Sequence, residues 1–209
     1  MQTAETRRGL GFVTCLLAFG SLLSPNGAPR LVAAAPPQEQ AKEIVLRVDA
    51  SHSKVGWTLG STLHTVHGTF VVKDGLLRID LATGKAGGEI VIDATSGASG
   101  NQGRDRKMHG EIIESVKYKE IAFRPDRING KVPTQGSVTA QIHGMFLLHG
   151  GEHEITVPVQ AELSADRWKG TAKLNVPYIA WGLKSPSNFF LKADKSVDVE
   201  LELAGTVQR

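Results

Sequence analysis

The stretch Glu154-Ile155-Thr156-Val157-Pro158-Val159-Gln160-Ala161-Glu162-Leu163 alternates apolar and polar residues without a break. Successive side chains of a strand point to opposite faces, so one face of this segment is greasy and the other is wet. The same grammar recurs. Val55 and Trp57 alternate with Lys54, Gly56 and Thr58. Trp168, Ala172, Leu174 and Val176 alternate with Lys169, Thr171, Lys173 and Asn175, and Val197, Val199, Leu201 and Leu203 alternate with Asp198, Glu200 and Glu202. Such runs belong to an antiparallel sheet that meets solvent on one side. Turn residues separate them at Lys73-Asp74-Gly75, Asn129-Gly130 and Gly150-Gly151, which predict reversals. Roughly eight strands at this spacing make an all-β barrel or sandwich, and a closed barrel leaves no edge to aggregate.

One stretch breaks the alternation. Residues 99–115 are polar and then mixed, with Met108 and Ile112 four apart. This predicts a short helical excursion near residues 101–115, capped by Asn101 and interrupted at Gly110, that covers one mouth of a barrel.

Two segments echo each other. Val66-His67-Gly68-Thr69-Phe70-Val71-Val72 matches Ile142-His143-Gly144-Met145-Phe146-Leu147-Leu148 in residue type at nearly every position. Shared strand grammar or an old duplication would each produce this. Either way, Gly68 and Gly144 allow sharp coiling, and Phe70 and Phe146 are expected to point inward together.

The beginning of the chain has a different character. Arg7 and Arg8 precede an apolar run from Gly9 to Leu23, and small residues follow at Val32-Ala33-Ala34-Ala35. This is the order of a secretory signal, expected to span residues 1–34 and to be cut after Ala34. The run is about 15 residues, shorter than the ~20 of a spanning helix. Thr6-Arg7-Arg8-Gly9-Leu10 suits the general or the twin-arginine route. Residues 35–42 read as a flexible leader, and residues 43–209 as the barrel domain. The expected location is the bacterial periplasm or the extracellular space.

Composition narrows the chemistry. The single cysteine, Cys15, lies in the apolar run, so the exported domain has no disulfide or thiol chemistry. The chain has 24 Lys and Arg against 21 Asp and Glu. Residues 1–35 hold three of the former and one of the latter, which leaves a nearly neutral domain and no case for nucleic acid. No nucleophile elbow, phosphate loop or dinucleotide fingerprint is present. Arg104-Asp105 reads as a structural pair in which Asp105 complements the helix dipole and Arg104 braces a loop. No catalytic residue, metal site or cofactor is assigned. The best enzymatic alternative is a metal-dependent hydrolase built on His149 and His153, which would face each other across a hairpin. No His-Glu-x-x-His motif accompanies them. His64 and His67, three apart, would lie on opposite faces of a strand.

Taken in order, Asp49-Ala50-Ser51-His52-Ser53, Val66-His67-Gly68-Thr69-Phe70, Ser99-Gly100-Asn101 with Arg104-Asp105 and Met108-His109, and Tyr118, Ile121 and Phe123 resemble the YceI-like family. Lys119 stands where the family has a proline, and Leu63-His64-Thr65 is an addition before Val66. The resemblance implies an exported, eight-stranded antiparallel lipocalin-like barrel associated with polyisoprenoid binding, and it allows a homodimer. The partner it implies is an apolar or lipid ligand: an isoprenoid, a quinone or a fatty chain. Strand parity then nominates Trp57, Phe70, Val72, Ile90, Ile92, Phe123, Ile142, Phe146, Leu174, Val176 and Leu201 as barrel lining. Trp181 joins them from Pro177–Lys184, a segment similar to the family's late strand and loop. A barrel of eight strands holds one small ligand. The remaining alternative is a non-binding structural or stress-response protein with a filled interior.

Overall fold

The computed structural model describes residues 43–209; the expected signal and leader lie outside the described residues. The chain runs through β1 (Glu43–Val48), β2 (Lys54–Leu59), β3 (Val66–Asp80), β4 (Ala86–Ala98), α1 (Gln102–Lys107), β5 (Glu120–Asn129), β6 (Gly136–Leu148), β7 (Gly151–Leu163), β8 (Arg167–Val176) and β9 (Val197–Gln208). Every pairing is antiparallel. β1 and β2 both lie between β3 and β9, β1 pairing the end of each and β2 the start. They are two halves of one stave, so nine segments build eight staves. The ladder continues from β3 through β8 to β9 and closes on itself. The expected eight-stranded antiparallel barrel is therefore the architecture found.

A 3-10 turn, Ala50–His52, splits the first stave. The Asp49 carboxylate accepts from the Ser51 amide at 3.0 Å and its hydroxyl at 2.6 Å. With the neighbouring His52, these donors lower the Asp49 pKa to about 2.

Two reversals differ from expectation. Lys73-Asp74-Gly75 lies within β3, where the ladder to β4 slips register between Val72 and Asp74. Turn-forming residues here make a bulge that bends a long strand. The reversal comes after Asp80, whose carboxylate accepts from the amides of Ala82 and Thr83 at 2.9 and 3.0 Å. The β6–β7 turn sits one residue earlier than Gly150-Gly151. Leu148 pairs with Gly151, so His149 and Gly150 form the loop, with φ +53° and +76°. Positive φ at both positions marks a type I′ turn. Asn129-Gly130 opens the loop to β6, as expected.

The echoed glycines have a steric purpose. A Cβ on Gly68 would strike the Trp57 indole, and one on Gly144 would strike the backbone of Arg124. Glycine lets β2 and β5 close in at these two points.

The barrel has unlike ends. At one, residues 81–85, 130–135 and 164–166 connect the strands. Ile44, Ile79, Val138, Leu163, Trp168 and Val207 are buried there. At the other, residues 60–65, 99–119 and 177–196 form long crossings.

Candidate functional site

The helical excursion crosses the long-loop end. Asn101 caps α1, its side chain accepting from the Arg104 amide at 3.0 Å. A π-helical turn, Met108–Ile112, follows and contains Gly110. Asp105 accepts from the Ser99 amide at 2.9 Å and the Ser99 hydroxyl at 2.5 Å. Arg104 Nε donates to Ser99 Oγ at 2.8 Å. The adjacent charges thus brace the loop. His109 Nε2 lies 2.8 Å from the Gly97 carbonyl, which can only accept, so Nε2 carries the proton. In the neutral ring, Nδ1 accepts from the buried Ser115 hydroxyl at 2.9 Å.

The far side of this lid is tied to the β6–β7 hairpin. Glu114 and His149 meet at 2.5 Å, and Tyr118 packs its ring 4.4 Å from that of His149. The His149 contact holds the Glu114 carboxyl below its ordinary pKa of 4.5. Both residues have positive φ, a backbone state that neighbouring contacts must hold in place.

Under the lid lies a cavity of about 440 Å³. Trp57, Phe70, Val176 and Val199 wall it from the strands, Met108, Ile112 and Ile113 roof it, and Arg104, Lys107 and His64 stand at its border. A second cavity, about 120 Å³ and almost wholly apolar, is lined by Ile90, Ile92, Phe123, Ile142, Leu174 and Leu201, among others. Phe146 borders both. Ten of the twelve nominated residues thus border one cavity or both. Val72 and Trp181 border neither. Val72 is packed solid, 1% exposed. Trp181 stacks on His153 at 4.0 Å, nearly parallel, with the Phe146 ring 5.6 Å away.

Trp181 stacks on a stretch of β7 that has no partner in β8. β7 pairs with β8 only over Val159–Leu163. The ladder stops at Pro158, which has no N–H to donate, and His153 lies beyond the stop. The missing ladder partners are invisible in either segment alone. His149 and His153 therefore do different work instead of forming a facing pair. Among the described residues, no group of three or more His, Cys, Asp or Glu is arranged to hold a metal. His64 precedes β3 and borders the cavity, whereas His67 is exposed and bonded to Thr58 at 2.9 Å.

The sequence reading missed the share of the lining that comes from the crossing between β8 and β9. Tyr178, Leu183, Pro186 and Leu191 come from an aperiodic loop and line the larger cavity. Burial pushes the Tyr178 hydroxyl above its ordinary pKa of 10.0, and that hydroxyl donates to the Asp194 carbonyl at 2.7 Å. Among the described residues, Trp57 Nε1 and His153 Nε2 are buried with no hydrogen-bond partner. A buried unsatisfied group costs ~1–3 kcal/mol.

The YceI-like domain model matches residues 46–205. This chain belongs to the YceI-like family. No curated protein sequence matches it. Two solved structures share the YceI-like fold found here. BcnA from Burkholderia cenocepacia is 17% identical with a TM-score of 0.64, over 76% of this chain and 99% of that one. A polyisoprenoid binding domain from Saccharophagus degradans, implicated in plant cell wall breakdown, is also 17% identical. Its TM-score is 0.59, over 78% of this chain and 98% of that one.

Proposed function

We propose that this protein is an exported, non-catalytic carrier that holds the apolar chain of an isoprenoid, quinone or fatty amphiphile inside the barrel. The observation that carries this reading is the 440 Å³ cavity, apolar within and bordered by Arg104, Lys107 and His64. Its size lies in the range of small-molecule sites, ~300–1,000 Å³. Removing ~400 Å² of alkyl surface from water would contribute ~10 kcal/mol before binding costs, enough for micromolar affinity. The polyisoprenoid binding domain of Saccharophagus degradans shares the fold, which supports this ligand class. Parity assigns Trp57, Phe70 and Phe146 to the wall against the ligand.

Native mass spectrometry and lipid extraction of the purified protein test the reading. A retained apolar molecule is the expected result. A protein that carries none, and takes up no long-chain probe, overturns it. Residues 1–34 act in this proposal as the secretory signal and residues 35–42 as a leader. Sequencing the exported protein should then begin at Ala35. A homodimer belongs to the same proposal, and light scattering decides it.

A further inference from the structure

Phe189 and Phe190 are 89% and 82% exposed, with their rings edge to face at 5.2 Å. They stand on the loop 184–196, beside Leu191 and Pro186, which line the larger cavity. Their presentation is built. The Asn188 side chain accepts from the amides of Phe190 and Leu191 at 3.0 and 2.8 Å. The Thr62 amide donates to the Lys192 carbonyl at 2.9 Å, which brings in Leu63, 67% exposed. Lys184, Lys192 and Lys195 are exposed on the same loop. Asp194 is its one acid, with the carboxylate against Gly60. Two aromatic rings and a leucine at a cationic tip thus lie beside the cavity mouth.

We propose that this tip docks the mouth of the barrel onto an anionic lipid bilayer. The rings enter the boundary between headgroups and acyl chains, and the lysines meet lipid phosphates. Three apolar side chains make too small a patch for a stable protein interface, which buries ~800 Å² on each partner. In a two-fold dimer the patch would meet itself and bring its lysines together. A bilayer satisfies both the greasy centre and the cationic surround. It also lets a greasy molecule pass between membrane and cavity without crossing water.

The test uses residues 39–209, which contain every described strand of the closed barrel. Flotation compares vesicles of phosphatidylcholine alone with vesicles containing phosphatidylglycerol. Partitioning is expected on the anionic vesicles and should weaken with salt. Phe189→Ser with Phe190→Ser should lower it at least ~tenfold. Each of Lys192→Gln and Lys195→Gln should lower it ~fivefold. A Phe189→Trp variant should shift its emission to the blue on anionic vesicles. No partitioning, or equal partitioning by the double serine variant, overturns the proposal. So does a concentration-dependent dimer that the double serine variant abolishes, because the rings would then belong to a second copy. Native mass spectrometry of the same variants reads the cavity separately, so docking and ligand binding fail independently.

Discussion

The two ends of the barrel are made of the same alternating strands and end differently. At the short-loop end, inward side chains such as Leu163, Trp168 and Leu203 meet each other and leave about 120 Å³. At the long-loop end a lid of backbone and side chains bridges the mouth and leaves about 440 Å³. One end is a core and the other is a chamber. The difference lies in what covers the mouth, since inward residues at both ends are similarly apolar. Phe146 stands where the two regimes meet.

Phe146→Ala attacks that boundary most directly. It should destabilise the fold by ~3–5 kcal/mol, join the two cavities and admit longer chains. Urea unfolding and the lengths of co-purified ligands check this; an unchanged length distribution would show that Phe146 divides nothing. Leu203→Ala at the core end is the contrast. It should cost ~3 kcal/mol and leave ligand affinity within about twofold, as read by displacement of a fluorescent long-chain probe.

Asp105→Ala addresses the lid. It leaves the Ser99 amide and hydroxyl without their acceptor, at a cost of ~1–3 kcal/mol. Hydrogen exchange over residues 102–113 should accelerate and ligand release should quicken, whereas β5 to β8 keep their protection. Trp57→Phe should shift stability by less than ~1 kcal/mol, because loss of indole packing is offset by removal of an unpartnered donor. A large loss would mean that a bound water or ligand satisfies Nε1.

The smallest effect is expected on the outer wall. His143 lies between Asp126 at 2.8 Å and Glu154 at 2.9 Å. These contacts, Asp126 first, raise its pKa above the ordinary 6.5. A raised folded pKa adds stability in full below 6.5 that fades as pH rises through the folded value. Titration by NMR should show the raised pKa, and Asp126→Asn should bring it down. Ligand binding at the chamber should not follow that titration.

Much of the architecture can be read from residue order. The run Glu154–Leu163 declares its two faces, and the parity of β6 places Ile142 and Phe146 together inside. Asn101 announces the helix it caps. The failures share a cause. Lys73-Asp74-Gly75 has turn composition, but pairing with β4 on either side of it keeps it in the strand and absorbs it as a bulge. His149 takes a left-handed turn that glycine would suit better, held by Glu114, 35 residues earlier, and by Tyr118. Trp181 looked like lining and instead packs on His153, where Pro158 has ended the ladder between β7 and β8.

Residue order by itself determined the faces, because alternation is a local property with a period of two. It also determined the barrel class and the short helical crossing. Tertiary structure alone decided that the interior is hollow at one end. A void depends on how eight staves set the width between facing side chains, and on which loop reaches across. Those distances join residues far apart in the chain, and no periodicity within one segment contains them.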